Sequence, residues 1–333
     1  MPFENELIFD FNFFKFIVIM LNRRHIRVKV MQTLYAFKGS ESDDFSKDQK
    51  FLLFSIDNMY NLYLLQLSLL LEVKKRAESD LQKKQNKILA TTEDKNPNLK
   101  FVNNELLNLL SENHQLKNLI EVHNINNWKL DDEYVDIIFK EITSSELYHD
   151  YMATRVSTFK EDKQFVVDVF KDIIAPNEKL YDYIEDKNLT WLDDLPTVNT
   201  TILKLLRKVK ATSPETYFTP KLYKDIDDKQ FAIDLFKKTL LQTSTINKEI
   251  ELKTKNWDSD RIANIDYSLL QMAISEIKNF PSIPVKVTIN EYLEIAKEYS
   301  TPKSSIFING ILDKLVKEYE EAGTLNKVGR GLI

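Results

Sequence analysis

Asp260-Arg261-Ile262-Ala263-Asn264-Ile265-Asp266-Tyr267-Ser268-Leu269-Leu270-Gln271-Met272-Ala273-Ile274-Ser275-Glu276-Ile277-Lys278 decides how this 333-residue chain is read. Ile262, Ile265, Leu269, Leu270, Met272, Ala273 and Ile277 recur at three- and four-residue spacing, which predicts an amphipathic helix over 260–278. Phe280-Pro281-Ser282-Ile283-Pro284 breaks that pattern. Further helices are predicted over 288–299 and from Thr301-Pro302 to about 321, with Thr301 as N-cap and Pro302 at the first helical position. Gly323 ends the last of them, and 323–333 reads as a flexible tail. Asn309-Gly310 falls inside that last helix, where glycine costs about 1 kcal/mol relative to alanine. The spacing of Ile306, Phe307, Ile311, Leu312 and Leu315 runs through it, so Gly310 is expected to admit another backbone; a hairpin turn is the competing reading.

At the other end, Asn22 can cap a helix over 23–37 that Lys38-Gly39 ends, with Ile26, Val30, Thr33, Leu34 and Phe37 on its core face. Residues 40–48 read as a polar linker, 51–88 as one long helix and 90–98 as a loop. Four helices are expected over 100–111, 112–125, 131–145 and 146–158. Then a repeat appears: Asp162-Lys163-Gln164-Phe165 recurs as Asp228-Lys229-Gln230-Phe231, 66 residues later. Asp168, Phe170-Lys171, Ile184-Glu185, Lys187, Trp191 and Asp194 find Asp234, Phe236-Lys237, Ile250-Glu251, Lys253, Trp257 and Asp260 in the same register. Each copy reads as helix, helix, tryptophan loop and helix, and duplication explains an unbroken register better than chance likeness of lysine-rich helices.

Composition narrows the classes. Only five glycines, Gly39, Gly310, Gly323, Gly329 and Gly331, are too few and too scattered for a dinucleotide-binding or Walker-type phosphate loop. No cysteine means no disulfide, thiolate zinc site or cysteine nucleophile. With 43% hydrophobic and 29% charged residues, glycine poverty predicts an all-α protein. The net charge of -5 says little about partners, because a local basic stripe can bind nucleic acid on an acidic protein. Residues 8–21 are apolar but interrupted by Asp10, Asn12 and Lys15, short of the roughly 20 residues of a spanning helix. They also lack a basic leader and a cleavage site. Residues 1–20 are therefore expected to be a leader, with Met20 an alternative start, and the cytoplasm is the expected compartment.

The four histidines, His25, His114, His123 and His149, form no H-x-x-x-H pair, and the carboxylates are scattered, so no metal site, cofactor or catalytic constellation is expected. The helix from Arg23 is different: Arg23, Arg24, Arg27, Lys29 and Lys38 occur with no acid among them. Arg24, Val28 and Tyr35 share one flank of its core face, with Arg27 between flank and core. Arginines fork onto phosphates and a tyrosine ring offers a base a stacking partner, so the helix is a candidate groove for single-stranded RNA. The alternative is a solvated helix edge whose arginines pair with acids elsewhere in the chain. A second candidate is Tyr299 to Phe307, where a helix start, Lys303 and Ser304 offer donors to phosphate between Tyr299 and Phe307. Ordinary capping with core aromatics is the alternative there.

Two blocks resemble the NusB family of bacterial transcription antitermination factors. One is Arg23-Arg24-His25-Ile26-Arg27 through Gln32-Thr33-Leu34-Tyr35. The other runs from Asp260-Arg261-Ile262, Asp266 and Leu270 to Glu276, through Ile283-Pro284, Lys286-Val287, Ile289-Asn290-Glu291 and Ile295-Ala296-Lys297, to Phe307-Ile308-Asn309-Gly310-Ile311-Leu312-Asp313. The resemblance covers residues 21–38 and about 228–318. It implies NusB-like helical bundles and binding of boxA-type RNA together with ribosomal protein NusE, within an RNA polymerase antitermination complex with other Nus factors on ribosomal RNA operons. By position it implies RNA-binding roles for Arg23, Arg24, Arg27 and Tyr35, and for Tyr299, Lys303, Ser304 and Phe307. It places Asp266 on the NusE-contacting surface.

This chain departs from the family in length. Residues 39–227 are expected to be a large helical insertion after the first helix, as in the long, Bacteroidetes-type form, ahead of a C-terminal NusB-like domain at 228–322. Within it, 162–206 resembles 228–272. Ile306 stands where a basic residue is common. Two rivals are an RNA methyltransferase carrying such a domain, for which the glycine-poor chain has no cofactor loop, and a helical protein-interaction scaffold with little or no RNA binding.

Overall fold

The computed structural model describes residues 19–39, 44–87, 91–254 and 263–328. The expected leader up to residue 18, Trp257, Asp260, Arg261, Ile262, Gly329 and Gly331 lie outside the described residues. Within them the protein is all-α, apart from an isolated parallel bridge between Ile19 and Lys221. The helices are α1 (Arg23–Gly39), α2 (Phe45–Gln85), α3 (Thr92–Lys95), α4 (Glu105–Glu112), α5 (His114–Val122), α6 (Asn127–Leu130), α7 (Asp132–Ser144), α8 (Glu146–Met152), α9 (Phe159–Val169), α10 (Glu178–Lys187), α11 (Leu195–Lys208), α12 (Ile226–Leu241), α13 (Thr243–Lys253), α14 (Asn264–Asn279), α15 (Val285–Tyr299) and α16 (Ser304–Glu321). The described residues divide into two compact units, one drawn from within 1–20 and 59–222, the other from within 21–58 and 223–333.

In the second unit α14 is the central helix. Leu269, Leu270, Met272, Ala273, Ile274 and Ile277 are buried, and so are Ser268, Gln271, Ser275 and Glu276. A helix buried on every side must be wrapped, and α1, α12, α13, α15 and α16 all pack against it. Each fully buried Leu, Ile or Met contributes roughly 1.5–3 kcal/mol, so this helix supplies a substantial share of the unit's stability. Helix α1 begins as the sequence predicts: the Asn22 side chain accepts the His25 N–H at 2.8 Å, satisfying one of the unpaired donors of the first turn. Ile26, Val30, Met31 and Leu34 then face inward. Arg27 meets Glu276, and Lys38 meets Ser268 and Gln271, so α1 runs antiparallel to α14. The first turns of α2 join this unit, with Phe45 and Phe236 ring centroids 5.5 Å apart.

In the first unit the remainder of α2 is apolar on all sides from Leu62 to Leu71, apart from Gln66 and Ser68. Tyr63 donates to the Phe218 carbonyl at 2.8 Å, and Trp128 Nε1 donates to the Leu65 carbonyl at 2.9 Å. Helix α9 packs on α4, α8 and α11. Asp162 near its start accepts from the Glu105 N–H at 2.6 Å and from Tyr151 Oη at 2.5 Å, tying the N-terminus of α4 to α9. The repeat register carries into burial. Asp162 and Asp228, Phe165 and Phe231, Phe170 and Phe236, and Ile184 and Ile250 are all buried. At Phe170–Ile174 the first copy widens to a π-helical turn where α12 stays regular.

Several boundaries differ from the sequence reading. Helix α2 starts at Phe45 rather than 51, because Asp44 accepts the Ser46 and Lys47 N–H groups at 3.1 and 3.0 Å and nucleates it inside the expected linker. The division within α2 groups residues 45–58 with α1 instead of with the expected 39–227 insertion. Residues 153–158 lie outside α8. Helix α16 starts at Ser304, two residues after Pro302; Thr301 opens a turn whose carbonyl accepts the Ser304 N–H at 2.9 Å. Gly310 does not mark a close backbone approach, since a Cβ added there would meet nothing within 4 Å. Gly323 ends α16 with φ +65°, as expected.

Candidate nucleic-acid interface

The arginines of α1 stand in three environments. Arg23, at the first helical position, sends Nε to Asp228 Oδ1 at 3.0 Å, and its guanidinium lies 5.1 Å above the Phe231 ring. Arg24 forks onto Glu291 of α15, with Nε and Nη2 donating at 2.9 and 3.0 Å. Both side chains remain 44% exposed. The Glu291 carboxylate, hydrogen-bonded to it, holds the Arg24 guanidinium above its ordinary value.

Arg27 is a different case. Its side chain is 2% exposed and forks onto Glu276 of α14, which is fully buried, at 2.8 and 2.6 Å. Thr288 Oγ1 and Tyr292 Oη donate to the same carboxylate at 2.8 and 3.0 Å. Burial works against the Arg27 charge, but hydrogen bonds to Glu276 and its negative charge outweigh that and hold the guanidinium above its ordinary value. The expectation that Arg27 offers its guanidinium to RNA is therefore corrected: it locks α1 onto α14 and α15.

The N-termini of α1 and α15 open on one cleft of about 430 Å³, lined by Arg23, Arg24, Arg27, Pro284, Val287 and Glu291 among others. Two helix starts each carry about half a positive charge and unpaired N–H groups, and two half-exposed arginines add to the same field. That arrangement can take an anion. Tyr35 lies 11 residues beyond Arg24 on α1, about 16 Å along the axis, and is 47% exposed.

The second candidate region is split. Lys303 is exposed and Tyr299 and Phe307 are half-buried. Ser304 is buried, and its hydroxyl donates to Asp266 Oδ2 at 2.7 Å and lies 2.8 Å from Thr301 Oγ1. Asp266 is itself only 5% exposed. Neither side chain is presented to solvent in the unliganded chain: the Ser304–Asp266 hydrogen bond ties the start of α16 to the first turn of α14, and Asp266 Oδ1 is buried without a hydrogen-bond partner. That tie and the Lys38 contacts lie on the same two turns of α14, so the second region and the Tyr35 end of α1 come to one end of the unit.

Sequence reasoning did not single out Glu276, Glu291 and Asp228, the acids that hold the arginines. The opposite charges of the two distant blocks were the available signal. Among the described residues no group of three or more His, Cys, Asp or Glu side chains could hold a metal ion, and no helix is long and apolar enough to cross a membrane.

The model of the NusB family matches residues 213–317. The transcription antitermination protein NusB of Salinibacter ruber is 45% identical over 112 residues, 34% of this chain and 70% of that protein. The NusB protein of Chloroherpeton thalassium is 42% identical over 33% of this chain and 52% of its own length. That of Koribacter versatilis is 40% identical over 29% of this chain and 68% of its own length. No solved structure matches.

Proposed function

The chain belongs to the NusB family, and on that premise we propose that it is a transcription antitermination protein that works by binding rather than turnover. It holds boxA-type single-stranded RNA along α1 and acts with ribosomal protein NusE and the other Nus factors on RNA polymerase, which places its work in the cytoplasm. The observation that carries this reading is the pair Arg23 and Arg24, half-exposed at the cleft where α1 and α15 begin. Their carboxylate partners do not bar it. The Arg24–Glu291 pair is exposed, and such pairs contribute only about 0–1 kcal/mol, so a phosphate that adds helix N–H donors can displace it. Arg23 keeps its buried partner Asp228 through Nε and has the rest of its half-exposed guanidinium to share with a phosphate. Tyr35 supplies a face for an unpaired base, and Lys303 a further phosphate contact. Arg27, Ser304 and Asp266 contribute by position, holding α1 and the start of α16 where these groups are presented.

The test is fluorescence anisotropy with labelled boxA-type RNA, with and without NusE, for the wild type, Arg23→Glu and Arg24→Glu. The reading expects each reversal to weaken RNA binding at least about tenfold and NusE to tighten the wild-type complex. Wild-type binding that neither reversal changes would overturn the α1 assignment, and no RNA binding by the wild type, with or without NusE, would favour a protein-interaction scaffold instead.

A further inference from the structure

We propose that the first unit carries its own binding surface for the phosphate backbone of single-stranded RNA, built from the exposed face of α11 and the start of α9. The proposal rests on the RNA-binding reading above and extends it to the part of the chain that the family match does not reach.

From Thr200 to Leu222 the chain holds Lys204, Arg207, Lys208, Lys210 and Lys221 against a single acid, Glu215, within a protein whose net charge is -5. On α11, Lys204, Arg207 and Lys208 are spaced i, i+3, i+4 on the face opposite the buried Val198, Ile202, Leu205 and Leu206. All three are exposed, as is Lys210 just beyond the helix. Lys163 of α9 reaches the same place: its Nζ donates to the Val209 carbonyl at 3.3 Å, between Lys208 and Lys210. Lys160 lies one turn before it, exposed. None of the described carboxylates pairs with Lys160, Lys204, Arg207 or Lys210. The two acids of the first turn of α9 are committed elsewhere. Glu161 pairs with the buried Lys100 at 2.6 Å, and Asp162 accepts from Tyr151 and the Glu105 N–H.

Helix stability accounts for only part of this cluster. Basic residues in the last turn of α11 complement the negative end of its dipole. Lys204 sits a turn earlier, and Lys160 stands in the first turn of α9, at the positive end of that helix, where a cation is unfavourable. Four unpaired cations gathered on one surface repel one another, so the unliganded protein gains nothing from gathering them. A polyanion removes the repulsion and releases its own counterions. No described carboxylate holds Arg207 in a fork geometry, and the cations are spread along a helix face and the turn after it, which suits a flexible backbone better than a small phosphate ester. The Phe159 ring, 5.9 Å from Lys163 Nζ, is a half-buried apolar neighbour for a base.

The experiment uses the full chain and two single-stranded RNAs: a boxA-type core of about 12 nucleotides, and the same core inside a strand of about 60. Two variants remove the patch, K204E/R207E/K210E and its milder form K204Q/R207Q/K210Q, with circular dichroism verifying helicity. The wild type is expected to bind the long strand more tightly and with a steeper salt dependence than the core. The patch variants should lose that gain, roughly tenfold at low salt with a slope smaller by about 2, and bind the core like the wild type. R23E/R24E should weaken core binding instead. Patch variants that match the wild type on the long strand overturn this inference, and loss of core binding in R23E/R24E then leaves the α1 reading standing. If R23E/R24E leaves core binding intact while the patch variants lose the long-strand gain, the α1 reading falls and this one stands. A patch that instead binds an acidic protein would leave both RNA slopes unchanged, and so also overturns it.

Discussion

Replacing Glu276 by Gln changes one oxygen for an amide and removes the counter-ion of Arg27. Both side chains lie out of water, at 2% and 0% exposure. The carboxylate accepts two hydrogen bonds from Arg27 and one each from Thr288 and Tyr292. Glutamine has one acceptor oxygen and two amide hydrogens, so at least one of these donors loses its acceptor and the guanidinium loses its charge partner. Breaking a buried pair from one side costs about 3–5 kcal/mol. At about 1.4 kcal/mol per factor of ten, α14 amides should lose protection against hydrogen exchange by roughly two to three and a half orders of magnitude. The assay is exchange followed by mass spectrometry on peptides covering α1 and α14. Peptides from α4 to α11 serve as the internal control. The double variant R27M/E276M removes the charges together and should recover much of the loss, since a buried pair exchanged for packed apolar groups is often near neutral. If E276Q costs less than about tenfold in protection, the pair is not the lock that the geometry makes it. If R27M/E276M is as stable as the wild type but binds RNA as poorly as R24E, Arg27 is an RNA ligand and its structural assignment is wrong.

Other variants probe the remaining contacts. Glu291→Gln keeps an acceptor for Arg24 but removes the charge that competes with phosphate, and should tighten boxA-type RNA binding by roughly fivefold, since an exposed pair is worth up to about 1 kcal/mol; weaker binding would mean that Glu291 orients Arg24 for the RNA. Gly310→Ala fills open space in α16 and should raise the stability of the second unit by about 0.5–1 kcal/mol in urea unfolding. If it also lowers RNA or NusE affinity, the glycine serves a ligand's close approach. Burial pushes the hydroxyls of Tyr60 and Tyr217 up to about 12. Their neutral form is favoured by folding, so their contribution is complete below the unfolded value near 10 and is lost as pH rises towards about 12. Urea unfolding of the wild type should weaken over that window more than that of Y60F/Y217F, and equal slopes would contradict the burial argument.

What the sequence disclosed was local. Asn22 before a basic amphipathic run marked the start of α1, the apolar spacing at 265–277 marked α14, and Gly323 marked the end of α16. These signals act within a turn or two of the chain. The start of α2 was missed because Ser46, Lys47 and Asp48 look like a linker, while the Asp44 side chain that caps them is a single residue. The fate of Arg27 was out of reach for a different reason. A helical wheel puts it between flank and core, but its burial depends on a carboxylate 249 residues away. The same holds for Ser304 and Asp266: each looks like an exposed polar group in the sequence, and both are buried, joined by a hydrogen bond across 38 residues. Charged residues near a core face are thus where pattern reading ends, since their placement is decided by a partner the pattern does not contain.

The central claim is that Arg23 and Arg24 hold RNA phosphates at the start of α1. Its most direct test is the slope of log K against log salt for boxA-type RNA, compared between the wild type and R23Q/R24Q. Two lost phosphate contacts on a single strand should reduce the slope by about 1.4 and weaken binding most at low salt. Parallel lines of equal slope for the two proteins would contradict the account.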